Sequence, residues 1–233
     1  MRVGALCSAG GAAFFTAVDM AVSEGLTSYE EIFLVTDRPC GAELQAAERS
    51  ITFSRIEKTE NQDFSRRAGV YLGEAGCRMV LLYFTRLVTS ELFQRLPTLN
   101  IHPSLLPSFP GFGALSAAVR HKTTFIGATL HLVAEGVDNG PIVAQVASPV
   151  LGARSGKELE SLSYMHKCYL TLCALDLLDR GQFCIDVKTG TVTLPDELRV
   201  TASSAPALQS KSLIGCFKDF LTSRSEGERY FVP

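Results

Sequence analysis

The sequence has no tryptophan, only four histidines among 233 residues, and no hydrophobic run long enough for a membrane helix. Its charges nearly cancel, because 22 lysines and arginines face 24 aspartates and glutamates, and the formal net charge is -2. A general nucleic-acid binder needs a basic face, so this balance argues against nucleic acid as a partner. The apolar opening Met1–Cys7 is too short for a signal peptide, and we expect a cytoplasmic protein with no membrane partner.

The seven cysteines lack the spacing of a functional cluster. No two of them are separated by the two residues that zinc and redox motifs use. An odd number scattered along the chain does not form a disulfide framework. We therefore expect small buried thiols in a reducing compartment, and no metal site.

Hydrophobic residues make up 46% of the chain, enough for a sizeable core, and in the first hundred residues they alternate between two patterns. The predicted strands are Arg2–Cys7, Glu31–Thr36, Ser50–Ser54, Cys77–Phe84 and Pro97–Ile101; the predicted helices are Ala13–Glu24, Ala42–Ser50, Asp63–Gly73 and Thr89–Leu96. This alternation predicts an α/β fold, a Rossmann-like, mostly parallel twisted sheet with helices on both faces. Ligands of such sheets bind beyond the carboxyl ends of the strands.

The pattern changes after residue 102. The predicted elements are a proline-rich loop at Pro103–Pro110, a short helix at Ala114–Arg120, strands at Phe125–Val133 and Ile142–Val150, a helix at Gly156–Leu178 and a hairpin at Phe183–Leu194 that turns at Lys188–Gly190. The Ser-, Ala- and Pro-rich segment Thr201–Ser212 indicates a linker, and the apolar stripe after it indicates a helix. We expect a main domain at residues 1–195, and a linker with an amphipathic helix at 196–233.

Two polar residues, Asn100 and His102, flank Ile101 at the end of the fifth predicted strand. Side chains two residues apart on a strand lie on the same face, so Asn100 and His102 face one space while Ile101 faces the core. Both side chains donate hydrogen bonds, and such donors can hold an oxygen that becomes negative during acyl transfer. Pro103 and Pro107 stiffen the loop that follows.

Two further segments add to this pattern. The strand around Gly127–Val133 runs into a glycine-rich turn that presents Asp138. A carboxylate near His102 favours the protonated imidazole and can relay protons. Thr85–Val88 follows a buried strand, and its backbone groups suit a flat heterocycle.

Each of these features alone has an ordinary structural explanation. Asn100 and His102 can simply tie down the proline loop, Asp138 can cap its own turn, and Arg86 can be a surface charge. Motifs this short often match by chance. The order and spacing of all three features together favour a catalytic site.

The run Asn100–Pro107 and the turn Asp138–Pro141, in this order and at this spacing, resemble the folate-dependent formyltransferase family. The resemblance is specific between about residues 80 and 150 and weaker over the remaining Rossmann-like region and His166–Tyr169. It implies an enzyme that moves a formyl group from the co-substrate 10-formyltetrahydrofolate to a small-molecule amine, without a metal. Residues after about 195 show no resemblance that we can name.

The same resemblance implies a role for individual residues. Asn100, His102 and Asp138 occupy its catalytic positions. The cofactor-binding residues that it implies are Thr85, Arg86, Leu87, Val88, Val133, Ala134, Glu135, Gly136 and Val137. The acceptor-binding residues that it implies are Gly10, Gly11, Ala12, Ala13 and Pro103.

The acceptor side departs from the purine branch of the family. Ser8–Ala13 reads Ser-Ala-Gly-Gly-Ala-Ala where that branch has Ser-Gly-Asn-Gly-Ser-Asn, so polar side chains that cradle a phosphate are missing. Met165 aligns with a substrate-binding glutamate. Phosphoribosylglycinamide is the acceptor that we favour, and the alternative is a less polar amine in an apolar pocket near Ala12, Phe14, Phe112 and Met165.

Other interpretations stay open. One is a formyltetrahydrofolate deformylase, which gives the formyl group to water, and another is a formyltransferase for an amino sugar or other specialised amine. Gly111–Leu115 is closer to the transfer-RNA and deformylase branches than to the purine branch, although the short tail lacks a basic domain. A folate-binding relative without turnover is disfavoured by the complete set Asn100, His102 and Asp138. We expect a monomer or homodimer.

Overall fold

The computed structural model describes residues 2–26, 31–57, 60–150, 155–182, 184–187 and 189–224. The strands are β1 Arg2–Cys7, β2 Glu31–Thr36, β3 Thr52–Arg55, β4 Cys77–Tyr83, β5 Thr98–His102, β6 Phe125–Leu132, β7 Ile142–Pro149, β8 Cys184–Asp186, β9 Thr191–Thr193 and β10 Ser204–Ala205. The helices are α1 Ala12–Ser23, α2 Gly41–Glu48, α3 Asn61–Glu74, α4 Ser90–Phe93, α5 Ala114–Arg120, α6 Gly156–Asp179 and α7 Lys211–Thr222.

Eight strands form one sheet in the order β10-β7-β6-β5-β4-β1-β2-β3. Strands β1 to β5 pair in parallel, whereas β6, β7 and β10 pair antiparallel. The strand order reverses at β1 and β4, which is where sheets of this kind bind ligands. The predicted Rossmann-like, mostly parallel sheet is confirmed. The predicted helix Thr89–Leu96 is longer than α4, a single turn.

Alternation along the central strands fills two cores on opposite faces of the sheet. Val3 and Ala5 of β1 pack into the larger core, which contains α1, α6 and α7. Leu6 points to the other face, where it packs with Phe64 and Leu72 of α3. A strand that is buried on both faces is apolar at consecutive positions, which explains the continuous runs in β1 and β4.

The predicted linker at Thr201–Ser212 is wrong, because this segment is part of the fold. Ser204–Ala205 form β10 and pair with β7, and Leu208 is fully buried. The Tyr169 hydroxyl lies 2.8 Å from Ser204 Oγ and accepts a hydrogen bond from the Leu208 amide at 3.1 Å. Small polar residues and proline have the composition of a loop, whereas the pairing with β7 is a tertiary contact that composition does not encode.

The predicted tail helix is present as α7, and it packs on its own chain. Leu213, Phe217 and Leu221 are buried in the larger core beside α1 and α6. The carboxylate of Asp176 on α6 accepts the backbone amides of Gln209 and Ser210, and this contact fixes the start of α7.

The predicted hairpin is observed as the pair β8 and β9. Phe183 and Lys188 of that hairpin, and residues 225–233 of the tail, lie outside the described residues. Over the part of the chain that the structure describes, no helix is both long and apolar enough to span a membrane.

Candidate active site

A cavity of about 670 Å³ lies beyond the carboxyl ends of β1, β4 and β5. Gly11 follows β1, Thr85 follows β4 and His102 ends β5, and all three line this cavity. Residues of α6 form another wall. Cavities of roughly 300–1,000 Å³ are typical of sites for small molecules and cofactors.

Asn100, His102 and Asp138 meet at this cavity, as the sequence predicts. The Nδ1 atom of His102 lies 3.0 Å from Oδ2 of Asp138. The amide of Asn100 donates to Oδ1 of the same carboxylate at 3.4 Å. All three side chains line the cavity, so two hydrogen-bond donors and one carboxylate are held within reach of one bound molecule.

Asp138 reaches the two β5 residues because of the turn that carries it. Its backbone has a φ of 50°, a left-handed conformation that aspartate tolerates better than most residues. Two residues later, a Cβ atom on Gly140 would lie 1.8 Å from the Leu132 carbonyl oxygen, so only glycine fits there. The carboxylate therefore does not cap its own turn. It accepts the Gly111 amide at 2.8 Å as well as the His102 contact.

The proline-rich loop is fixed by side chains of β6 and β7. Thr129 Oγ1 donates to the Ser104 carbonyl at 2.7 Å and accepts the Leu106 amide at 3.0 Å. The Gln145 amide donates to the Leu106 carbonyl at 2.9 Å. This bracing holds the Phe109 carbonyl 2.8 Å from Nε2 of His102.

The contacts of His102 and Asp138 shift the pKa values of both groups in the directions that favour their charged forms. Burial opposes protonation of His102, but the bonds to Asp138 and to the Phe109 carbonyl outweigh it, and the pKa of His102 is raised. Hydrogen bonds from His102 and then His131 hold the pKa of Asp138 far below its usual range, although burial acts in the other direction. Both acceptors of His102 favour the doubly protonated ring.

His131 is a fourth member of this cluster that the sequence reasoning missed. Its Nε2 lies 3.1 Å from the Asn100 amide nitrogen and 3.5 Å from Oδ1 of Asp138, while its Nδ1 lies 3.0 Å from the Leu132 carbonyl oxygen. Because a carbonyl only accepts, Nδ1 of His131 carries a proton, and Nε2 faces both the Asn100 amide and the Asp138 carboxylate. His131 pairs with Asn100 across β5 and β6, so knowledge of the strand register would have revealed it.

Although two histidines and a carboxylate meet here, no group of three or more His, Cys, Asp or Glu side chains within the described residues is arranged to hold a metal ion.

Most residues predicted to bind the cofactor line the cavity. These are Thr85, Arg86, Leu87, Val88, Val133, Ala134, Gly136 and Val137. Glu135, which is exposed to solvent, does not line it. The Thr85 amide donates to Ser8 Oγ at 3.2 Å and is therefore not free for a ligand.

Arg86 is held in place rather than being a loose surface charge. Its guanidinium donates to the Asn61 side chain at 2.7 Å and lies 3.6 Å from the fully buried carboxylate of Asp37. It also covers the ring of Phe64 at 5.4 Å. These contacts fix the loop after β4 against α3.

One residue predicted to bind the acceptor lies outside the cavity lining. Gly11, Ala12, Ala13 and Pro103 line the cavity, but Gly10 does not, because its backbone packs against Gly41 at the start of α2.

The predicted apolar pocket is also wrong in part. Phe14 and Met165 are buried in the core and do not reach the cavity. The residues of α6 that line it are instead Glu160, Ser163, Tyr164 and Lys167. Their spacing of three and four residues places them on one face of α6. Comparing all faces of this predicted helix would therefore have identified them from the sequence.

Residues 1–166 match the family described as Formyl transferase. Phosphoribosylglycinamide formyltransferase of Bacillus subtilis is 31% identical over 154 residues, which cover 63% of this chain and 79% of that protein. The enzyme of the same name from Mycobacterium tuberculosis is 35% identical over 122 residues, 49% of this chain and 56% of that protein, so the matched part spans about half of that relative's length.

A solved structure shows the same likeness. Glycinamide ribonucleotide transformylase 1 from Symbiobacterium toebii superposes with a TM-score of 0.75 at 28% identity, covering 84% of this chain and 94% of that one. The family match extends over more than half of the residues here and includes Asn100, His102 and Asp138. The chain therefore belongs to the formyl transferase family.

Proposed function

We propose that this protein transfers the formyl group of 10-formyltetrahydrofolate to a primary amine, with phosphoribosylglycinamide as the favoured acceptor. The observation that carries the proposal is the convergence of the Asn100 amide, the His102 ring and the Asp138 carboxylate on one cavity. The acceptor is suggested by relatives whose names specify phosphoribosylglycinamide.

The reaction needs two kinds of help from the protein. As the acceptor nitrogen attacks the formyl carbon, a carbon–nitrogen bond forms and the carbonyl oxygen becomes negative. The bond from that carbon to N10 of the folate then breaks, and a proton lost by the amine ends on N10. The protein must stabilise the oxygen and move the proton.

Asn100 and His102 fit the first task, and Asp138 fits the second. Loss of a single oxyanion donor typically lowers the rate about 100- to 1,000-fold. In the resting site Nε2 of His102 contacts the Phe109 carbonyl, so in the reaction it exchanges this partner for the substrate oxygen. Hydrogen bonds of this kind often become aligned only when substrate is bound. Asp138 favours the charged form of His102 and, through water, relays the amine proton toward N10.

The two loops beside this cluster suit the pterin ring. Thr85–Val88 and Val133–Val137 approach the cavity from the ends of β4 and β6, and most of their residues line it. Leu82, Val88 and Val133 supply apolar walls there. Flat heterocycles are commonly held in this way, by apolar contacts with a few oriented polar groups.

The deciding experiment mixes the protein with 10-formyltetrahydrofolate and a panel of amines and follows tetrahydrofolate release. We expect release that depends on phosphoribosylglycinamide, and its loss in His102→Ala. The matched control is His121→Ala, because His121 is exposed and outside the cavity lining. Near-normal turnover by His102→Ala contradicts the mechanism, and steady release without any amine indicates hydrolysis instead. The losses in Asn100→Ala, His102→Ala and Asp138→Ala should not add, because the three residues act as a unit.

A further inference from the structure

Lys167 is a cation in the cavity wall that the reaction described above does not use. It lies on α6, where it lines the cavity one turn after Tyr164. The Tyr164 hydroxyl lies 2.7 Å from Thr16 Oγ1 on α1, and the hydroxyl of Thr171, one turn after Lys167, hydrogen-bonds with Tyr83 at the end of β4. These contacts on either side fix the stretch of α6 that carries Lys167 against α1 and β4.

The Lys167 ammonium is partly buried and has no counter-ion in the described structure. Within the described residues, no carboxylate lies within 4.0 Å of it, and no hydrogen bond from its Nζ is formed. Glu160 lines the same cavity but does not form an ion pair with it. Burial lowers the pKa of Lys167, as expected for a charge that has lost water without gaining a partner.

The electrostatics of the cavity favour a negative ligand beside this residue. The Lys167 charge opposes protonation of His102, so two positive groups face the same space. One carboxylate, Asp138, is already engaged by His102 and the Gly111 amide. An anion between the two cations would relieve their repulsion and restore the solvation that Lys167 has lost.

The loop after β1 explains why such a cation is needed. Ala12 and Ala13 line the cavity without any side-chain group that could hold an anion. An acceptor that carries an anionic group must therefore find its side-chain partner on another wall. The face of α6 that lines the cavity can supply this partner, and Lys167 is the cation on that face.

We propose that Lys167 binds an anionic group of the acceptor, a phosphate or a carboxylate, and so selects for negatively charged amines. This inference rests on the proposed formyl transfer and specifies which amines that site accepts. Lysine binds phosphate and carboxylate as a point charge, so it needs no particular orientation of the acceptor. Asn100 and His102 keep their separate task at the formyl oxygen.

The test compares wild type with Lys167→Met, which removes the charge but keeps the length, and Lys167→Arg, which keeps the charge. Initial rates are measured with phosphoribosylglycinamide and with the same molecule lacking its phosphate. We expect Lys167→Met to raise KM for the phosphorylated acceptor about 10- to 100-fold, with a much smaller change in kcat. For the dephosphorylated acceptor KM should change little, and Lys167→Arg should restore most of the lost affinity. Lys157→Met is the matched control, because Lys157 is exposed on the same helix and outside the cavity lining.

Several results would overturn the proposal. If Lys167→Met keeps the wild-type KM while wild type shows turnover, the formyl transfer stands and the role of Lys167 is wrong. An equal fall of kcat for both acceptors, at unchanged KM, would mean that Lys167 acts at the reacting atoms instead. Circular dichroism and the thermal shift by a folate analogue show whether each variant is folded.

A separate arm covers failure of the proposed function itself. If wild type transfers formyl to neither acceptor, the binding of inorganic phosphate and of acetate is measured by titration. This measurement tests the role of Lys167 without any turnover. Weaker binding of either anion by Lys167→Met than by wild type and Lys157→Met supports the anion site and identifies the preferred group. Equal binding by all three proteins refutes it.

Discussion

Asp138→Asn is the substitution that tests the charge of the site with the least change of shape. An asparagine oxygen in the place of Oδ2 can still accept from His102 and from the Gly111 amide, which lie at 3.0 and 2.8 Å. What is lost is the negative charge behind both bonds, and the NH2 group that replaces Oδ1 can no longer accept from Asn100. A hydrogen bond to a charged group contributes about 1.5–3 kcal/mol and a neutral one about 0.5–1.5 kcal/mol. Two such losses predict a destabilisation of about 2 kcal/mol at neutral pH.

The pH dependence of that difference follows from the sign of the shift. The pKa of Asp138 is lowered in the folded protein, because His102 and then His131 bond to the carboxylate. Its stabilising contribution is therefore complete above the unfolded-state pKa of about 3.9 and is lost as the pH falls below it toward the folded value. The difference in the free energy of unfolding between wild type and Asp138→Asn should therefore become smaller in acid. Urea unfolding at neutral and acidic pH measures it, with Asp219→Asn on the exposed face of α7 as the control.

The same variant should change the pH–rate profile. Since Asp138 raises the pKa of His102 against the opposing effect of burial, its neutralisation lowers that pKa. If protonated His102 holds the oxyanion, activity falls as the pH rises through this pKa, and the falling limb moves to lower pH in Asp138→Asn. Turnover at neutral pH should drop about 100- to 1,000-fold. Equal stability of the two proteins at neutral pH, or a falling limb at the same pH in both, would refute this reasoning.

Two further predictions concern the turn and the cofactor. Gly140→Ala should lower both stability and turnover, because its Cβ atom would lie 1.8 Å from the Leu132 carbonyl oxygen and the turn that carries Asp138 must move. The control for urea unfolding and rate is Gly156→Ala, whose added Cβ atom would have no described atom within 4 Å apart from its chain neighbours and its own helix backbone. A non-reactive folate analogue at about 100 times its dissociation constant should stabilise the fold by roughly 2.7 kcal/mol in a thermal-shift measurement, whereas nicotinamide and adenine nucleotides should not. A larger thermal shift with a nucleotide than with the folate analogue would contradict the proposed binding of folate in this cavity.

The central fold could be predicted from the sequence because its signals are local. β1 and β4 are apolar at consecutive positions since both faces are buried, and amphipathic helices separate the strands. The segment around β10 could not be predicted in this way. Ser204–Ala205 become a strand only because β7 presents an edge to them, and nothing in their own composition favours a strand.

The candidate site also contains residues that local sequence patterns predict and residues that depend on tertiary contacts. Asn100 and His102 could be paired from strand alternation, and Asp138 from the resemblance of its turn. His131 could not, because its place beside Asn100 depends on the antiparallel register of β5 and β6. The α6 residues were missed by one position, since Met165 and Tyr164 are neighbours in sequence but face the core and the cavity respectively. On a helix, a one-residue slip rotates a side chain by about 100°.

The two halves of the cavity are built from different parts of the fold, and this separation bears on how acceptor choice can change. The residues proposed for the chemistry lie on β5 and on the loops that follow β4 and β6, and the braced loop between β5 and α5 supports them. The wall proposed for the acceptor is formed by the start of α1 and one face of α6, which are joined by the contact of Thr16 with Tyr164. A substitution at Ala12 or Lys167 therefore alters the charge that an acceptor meets without displacing Asn100 or Asp138. In the proposed arrangement, a cation on α6 replaces the polar groups that are missing from the α1 loop, and this cation is the charge that selects the acceptor.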